Sequence, residues 1–227
     1  LDYGDYHFHQ TSLEKAVQYY QIALSSFQSL FEVSHPQIFY AYFNLARTYM
    51  KLDDRDSAEE NLSRAYTIVQ DFHGETSSEH AILLHYYGLF YIADKNYEEA
   101  ITYFKQSGQI RESLYTSSSP DSLESLYYVA MCYYQLKNHK KAQVLFEKIT
   151  HLDPEQEKRL KLLKANANNM LGLIYLNNKK LDLSFDAFKR AHIMFQQQYT
   201  SPHGALSVCL SHLGQVSNLL GLKELAI

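Results

Sequence analysis

Two cysteines in 227 residues, Cys132 and Cys209, cannot build a framework of disulfides. With no signal-like segment, so few cysteines point to a reducing, cytoplasmic setting. Both lie inside apolar helical patterns, which argues against a redox or nucleophilic role. No apolar run approaches the ~18 residues that a membrane-spanning helix requires. There is no Gly-rich phosphate loop and no HExxH, CxxC or GxSxG pattern. The chain is therefore expected to be no enzyme and to take no cofactor or metal. Among eleven histidines the only tight potential ligand cluster is Asp5, His7 and His9, and His7 falls at a packing phase defined below, so helix packing is its expected role.

An excess of positive charge is also missing. The net charge is −4 and unevenly spread: residues 1–136 carry 8 Lys/Arg against 18 Asp/Glu, and residues 137–190 carry 12 against 6. Solvated helix faces account for this. The basic stretch Lys158, Arg159, Lys161 and Lys164 lies near Tyr175, but the chain is acidic as a whole and that tyrosine is at a packing position. Nucleic acid is not the expected partner.

What the sequence has is a period. Gly4, Ala46, Gly88, Ala130, Gly172 and Gly214 follow one another at 42-residue intervals without a slip. A second small residue comes 12 later: Ala16, Ala58, Ala100, Ala142, Ser184 and Ala226. Four further on stand Tyr20, Leu62, Phe104, Phe146 and Phe188, and three beyond these Ala23, Ala65, Ser107, Ile149 and Ala191. Three residues after the first small residue come Tyr49, Tyr91, Tyr133 and Tyr175, with His7 and Ser217 in the same phase. Within each unit the apolar positions follow a 3.6-residue period. Tyr42, Leu45, Ala46 and Tyr49 form one stripe, and Ala58, Leu62 and Ala65 the facing stripe. A small residue at the crossing lets two backbones approach, which compensates for the ~1 kcal/mol that glycine costs inside a helix.

Asp53-Asp54, Asp94-Lys95-Asn96, Lys137-Asn138 and Asn177-Asn178 mark turns inside units, while His35-Pro36, Ser117 to Pro120 and Ser201-Pro202 mark links between them. The expected fold is all-α: one domain over 1–227, a right-handed superhelical solenoid of antiparallel helix pairs. It comprises a partial unit at 1–31, full units at about 36–73, 77–115, 120–150 and 154–198, and a final partial unit at 203–227. Two departures stand out. The helix from His139 to about Thr150 is short, and Asp153-Pro154 starts the next one early, so that Glu155 to Lys164 extends it by about two turns. The last unit has Ser217 in place of tyrosine. Leu1 falls partway along a helix, and Leu219 to Ile227 is an apolar face with nothing to cover it. A solenoid ends in a polar cap, so a fragment of a longer protein is expected, with terminal helices open to self-association.

The 12, 4 and 3 spacing resembles the tetratricopeptide repeat over essentially the whole chain. The unit of 42 rather than 34 residues resembles the variety found in kinesin light chains, as do Phe43 to Tyr49 and Gln109 to Tyr115 followed by Ser119-Pro120-Asp121. HEAT and armadillo repeats have similar lengths but lack this spacing. The resemblance implies that the first helix of each unit lines a concave groove. Its inward positions would be Tyr40, Phe43, Arg47 and Met50; Ile82, His85, Leu89 and Ile92; Tyr127, Met131 and Tyr134; and Asn166, Asn169, Leu173 and Leu176. Arg47 is the only cation in these rows, so the set that clamps a terminal carboxylate in chaperone-tail grooves is missing. The groove suits an apolar or amphipathic segment of another protein or peptide, with Asn166 and Asn169 bonding its backbone. Phe43, His85, Tyr127, Met131 and Tyr134 are expected to be accessible. An interaction scaffold is the leading function. The alternatives are the peptide-sensing part of a bacterial quorum-sensing-type regulator, and the targeting domain of a larger effector or enzyme.

Overall fold

The computed structural model describes residues 1–32, 35–151, 158–199 and 203–221. Asp153-Pro154, Ser201-Pro202 and Ala226 lie outside the described residues. The all-α class expected from the period is what the structure has: eleven α-helices and no strand among the described residues. No described helix is long and apolar enough to cross a membrane.

The chain forms two compact units, Leu1–Tyr115 and Thr116–Ile227. The first contains the hairpins α1 (Asp2–His9) with α2 (Leu13–Leu30), α3 (Pro36–Lys51) with α4 (Arg55–Ile68), and α5 (Ser78–Ala93) with α6 (Tyr97–Leu114). A π-helical turn, Val69–His73, continues α4. The second contains α7 (Pro120–Gln135) with α8 (His139–His151), α9 (Lys158–Asn177) with α10 (Leu181–Gln198), and α11 (Gly204–Leu220).

Every hairpin turns in the same way. Thr11, Asp53, Lys95, Lys137 and Lys179 adopt φ between 57° and 61°, and they recur at the 42-residue period. The next N–H in each case reaches back to the carbonyl at the tyrosine phase: Ser12 to His7, Asp54 to Tyr49, Asn96 to Tyr91, Asn138 to Tyr133 and Lys180 to Tyr175, at 2.9–3.0 Å. These are left-handed helix stops that satisfy otherwise orphaned carbonyls. None of the five is glycine, so each carries strain that the regular hairpin must outweigh.

First helices begin equally regularly. His35 Nδ1, Ser77 Oγ, Ser119 Oγ and His203 Nδ1 accept from N–H groups of the first turn at 3.1–3.2 Å. The same phase falls at Lys161, which lies inside α9. That helix therefore starts ahead of the cap position, in keeping with an early start.

Packing at the crossings explains the small residues. A Cβ added to Gly4 would sit 2.4 Å from the Tyr20 ring, one at Gly88 2.7 Å from Phe104, and one at Gly172 2.6 Å from Phe188. Tyr20, Phe104, Phe146 and Phe188 are at most 1% exposed. Alanine fits at position 46 opposite Leu62, and also at position 130 opposite the buried Phe146, so how close the two helices come decides the matter along with the facing side chain. Ser184 occupies an alanine slot at 0% exposure because its hydroxyl donates to the Gly172 carbonyl at 2.8 Å. Ser107 does the same to Ala81 at 2.7 Å.

Candidate functional site

In the first unit, α1, α3 and α5 bring one face of each together around Arg47. Its guanidinium carbon lies 4.7 Å from the Phe8 ring centre, and 5.6 Å from those of both Phe43 and Tyr86. Nη1 donates to Asn44 Oδ1 at 3.0 Å, while Nε is buried with no hydrogen-bond partner. Lys51 Nζ stands 3.9 Å from the other contact of this cluster, the Phe8 ring. Tyr40, exposed, donates from its hydroxyl to Glu79 Oε1 at 2.9 Å and so links α3 to α5. Burial alone would raise the Glu79 carboxyl. Hydrogen bonds from Ser78, the backbone and Tyr40 outweigh it and hold the group below its usual value. Met50, Ile82 and Leu89 are half-buried along the same face.

Two expected groove residues are not accessible. Phe43 is 7% exposed: it stacks on Phe39 at 5.8 Å and takes the edge of Tyr86 at 4.8 Å. His85 is 5% exposed, with its ring against Phe104 at 5.1 Å and Nδ1 3.5 Å from Nη1 of the buried Arg111. Phe43 is absorbed against the neighbouring first helix α5, and His85 against α6 of its own hairpin, which corrects the expectation of an open surface there.

In the second unit Tyr127, Met131 and Tyr134 on α7 and Asn166, Asn169 and Leu173 on α9 are all half-buried. Tyr127 packs edge-on against the buried Phe146 at 5.6 Å, and burial pushes its hydroxyl up to about 12. Its ring therefore serves the hairpin as well as the inward face. Arg159 Nη2 bridges α9 to α7 through Asp121 at 2.9 Å and Glu124 at 3.1 Å. Beside this bridge is a cavity of about 190 Å³ that Asn166, Leu162 and Leu163 help to line. Asn169 Oδ1 lies 3.4 Å from His212 Nδ1 on α11, and burial lowers the pKa of that imidazole. Asn166 makes no side-chain hydrogen bond among the described residues.

The basic stretch is built into this packing. Arg159 is paired and Lys164 is 3% exposed, so the spacing of the cations in sequence did not reveal an open basic surface. Among the described residues no group of three His, Cys, Asp or Glu could hold a metal. Asp5 instead accepts from Tyr20 at 2.6 Å, and His7 stacks on Tyr19 at 5.2 Å. The aromatic cluster around Arg47 was only partly legible beforehand: Tyr86 lies off the inward rows, and Phe8, one period before Met50, stands in a unit for which no inward residue was expected.

Repeated hairpins with small-residue crossings define a tandem helical-repeat protein. The chain belongs to the tetratricopeptide repeat family, whose sequence model matches residues 1–71 and 79–154, with further tetratricopeptide matches over 43–109 and 165–191. A clustered mitochondria protein homolog of Aspergillus fumigatus is 24% identical over 125 residues, which are 55% of this chain and 10% of that protein. The chain thus spans about a tenth of the length of the curated relatives it matches. Among solved structures it is similar to the TPR-like repeats of a putative kinesin light chain from Podosopora anserina (TM-score 0.69, 17% identity, 87% of this chain and 94% of that one). It is also similar to the apo form of the quorum sensor NprR from B. thuringiensis (TM-score 0.78, 12% identity, 98% and 60%).

Proposed function

We propose that this chain is a protein-interaction module whose first-helix faces take up an apolar or amphipathic segment of another polypeptide. The observation that carries this reading is the environment of Arg47. Three aromatic rings hold its guanidinium, and Nε has no hydrogen-bond partner. A docked segment lies over this ring-held guanidinium, where its backbone or side-chain oxygens meet a fixed positive charge, and the rings and Met50 supply apolar contact. In the second unit Asn166 offers the same service to a peptide backbone, next to its cavity. Catalysis has no part in this reading. A quorum sensor shares this fold, and a peptide occupant fits both the scaffold and the sensor readings.

The test is site-specific photo-crosslinking. A benzophenone amino acid replaces Tyr40, Met131 or Leu173 on first helices, and Ile22, Val144 or Ile193 as exposed controls on second helices. Adducts with one partner polypeptide at the first-helix positions and none at the controls support the proposal. Adducts confined to the controls, or equal at both sets, overturn it.

A further inference from the structure

The first unit contains a second cleft that the inward faces do not use. It has a volume of about 750 Å³ and lies among α4, α5, α6 and the link before α5. On α5 the cleft takes positions 80, 84 and 87, whereas the inward face takes 82, 85 and 89. At 100° per residue these are opposite sides of the helix.

Each of three helices contributes one tyrosine to the wall. Tyr66 meets Tyr87 edge-on at 6.3 Å, and Tyr87 stacks on Tyr103 at 5.2 Å. Two carboxylates, Glu75 and Glu99, are also in the lining, with the neutral polar side chains of Thr102, Gln106 and Gln109, and neither carboxylate is in a salt bridge among the described residues. No lysine or arginine lines the cleft. His80, 7% exposed, is the third kind of group present. Its Nδ1 lies 2.6 Å from the Glu75 carbonyl, which can only accept, so Nδ1 carries the proton. In the neutral imidazole Nε2 then carries the lone pair; the atom is buried and without a partner. The whole unit is acidic, with 16 Asp/Glu against 8 Lys/Arg over residues 1–115.

We infer that this cleft is a binding site for an arginine side chain of a partner protein, separate from the proposed groove. Tyrosine faces attract cations through their ring quadrupole. Carboxylates on two sides add charge-assisted hydrogen bonds. A guanidinium suits the set better than an ammonium: it is planar, stacks on rings, and presents several N–H donors to Glu75, Glu99 and the partnerless His80 Nε2 at once. An anionic or purely apolar ligand would leave both carboxylates and the imidazole lone pair unmatched.

The probe is the blocked peptide acetyl-Gly-Arg-Gly-Arg-Gly-amide, with lysine and citrulline analogues, titrated into the 227-residue chain by calorimetry. The arginine peptide is expected to bind, the lysine analogue about fivefold more weakly, and the citrulline analogue not detectably. The double variant Glu75→Gln/Glu99→Gln should lose about tenfold or more with an unchanged melting temperature. Tyr103→Leu should lose about fivefold, and the His80 ring resonances should shift on binding. The Glu75/Glu99 pair decides the matter even if Tyr103→Leu fails to fold. Equal binding of arginine and lysine peptides, binding unaffected by the double variant, or no binding of the arginine peptide overturns the inference. Because Met131→Ala alters the proposed groove alone, its lack of effect on the arginine peptide separates the two sites.

Discussion

Gly172 and Gly214 occupy the same repeat phase, and the structure assigns opposite signs to the same substitution. At Gly172 an added Cβ meets Phe188 Cδ1 at 2.6 Å, and Phe188 is 0% exposed, so the ring has nowhere to go. At Gly214 nothing among the described residues lies within 4 Å. Alanine improves helix propensity by about 1 kcal/mol at either site. Overpacking a filled core costs about 1–3 kcal/mol. Gly214→Ala should therefore stabilise the chain by up to about 1 kcal/mol. Gly172→Ala should be neutral to about 2 kcal/mol destabilising, the difference of the two contributions. Propensity is common to both, so the gap between the variants, about 1–3 kcal/mol, isolates the steric overlap. Urea unfolding followed by circular dichroism reads it as a change in midpoint at constant slope. The Ala46–Leu62 pair shows how the overlap is relieved in a neighbouring hairpin. Adding Phe188→Leu to Gly172→Ala should recover stability relative to the sum of the single changes, with a coupling of about 0.5–3 kcal/mol. If both alanine variants shift the midpoint in the same direction by the same amount, the crossing is not what selects glycine.

The strained hairpin stops make Lys137 informative: φ is 61° and the side chain is exposed. Lys137→Gly should stabilise by about 0.5–1 kcal/mol and Lys137→Val should destabilise by more, in the same urea assay; the reverse order would refute the turn geometry. Burial pushes the Cys132 thiol up to about 12 and the Cys209 thiol up to about 11. Neither should react with a thiol reagent at pH 8 in the folded chain, and both should react in denaturant; fast native labelling would refute this. Burial, with hydrogen bonds to Asp5 and Glu147 respectively, raises the hydroxyls of Tyr20 and Tyr175, the latter to about 12, and burial raises those of Tyr87 and Tyr127. A raised folded pKa gives stability that is fully present below the unfolded value near 10 and is lost as pH rises through the folded one. Thermal melts should accordingly be unchanged up to about pH 9.5 and fall steeply between pH 10 and 12; a flat profile across that window would count against the burial of these rings.

The hairpin order was legible because helix packing repeats its chemistry. A small residue must face a ring or leucine at every crossing, so the 42-residue period survives wherever the crossing does. The left-handed stops at Asp53, Lys95, Lys137 and Lys179 were not legible. Glycine is the usual signal for that conformation, and the turn here takes charged residues instead, held by the reach-back bond to the tyrosine-phase carbonyl. Inward accessibility was legible only in part. An offset from a crossing tells which way a side chain points, but not how near the next first helix stands. Tyr40 and Phe43 share one stripe, yet Tyr86 closes over Phe43 and leaves Tyr40 exposed.

That distinction bears on how the inward face works. Phe43, absorbed between α3 and α5, and His85, packed against α6, hold helices together rather than meeting a partner. Where packing leaves a side chain half-buried, as at Met50, Leu89, Met131 and Leu173, contact area remains for a guest. Within the first unit the two roles share the first-helix faces, so a partner of the kind proposed would meet a lining whose shape is set by the buried members and whose chemistry is set by the half-buried ones. Arg47 belongs to both groups. Its guanidinium is positioned by rings on three helices while its Nε still lacks an acceptor. A flexible surface lysine would lose rotamer freedom on meeting a guest; Arg47 is already ordered by the fold.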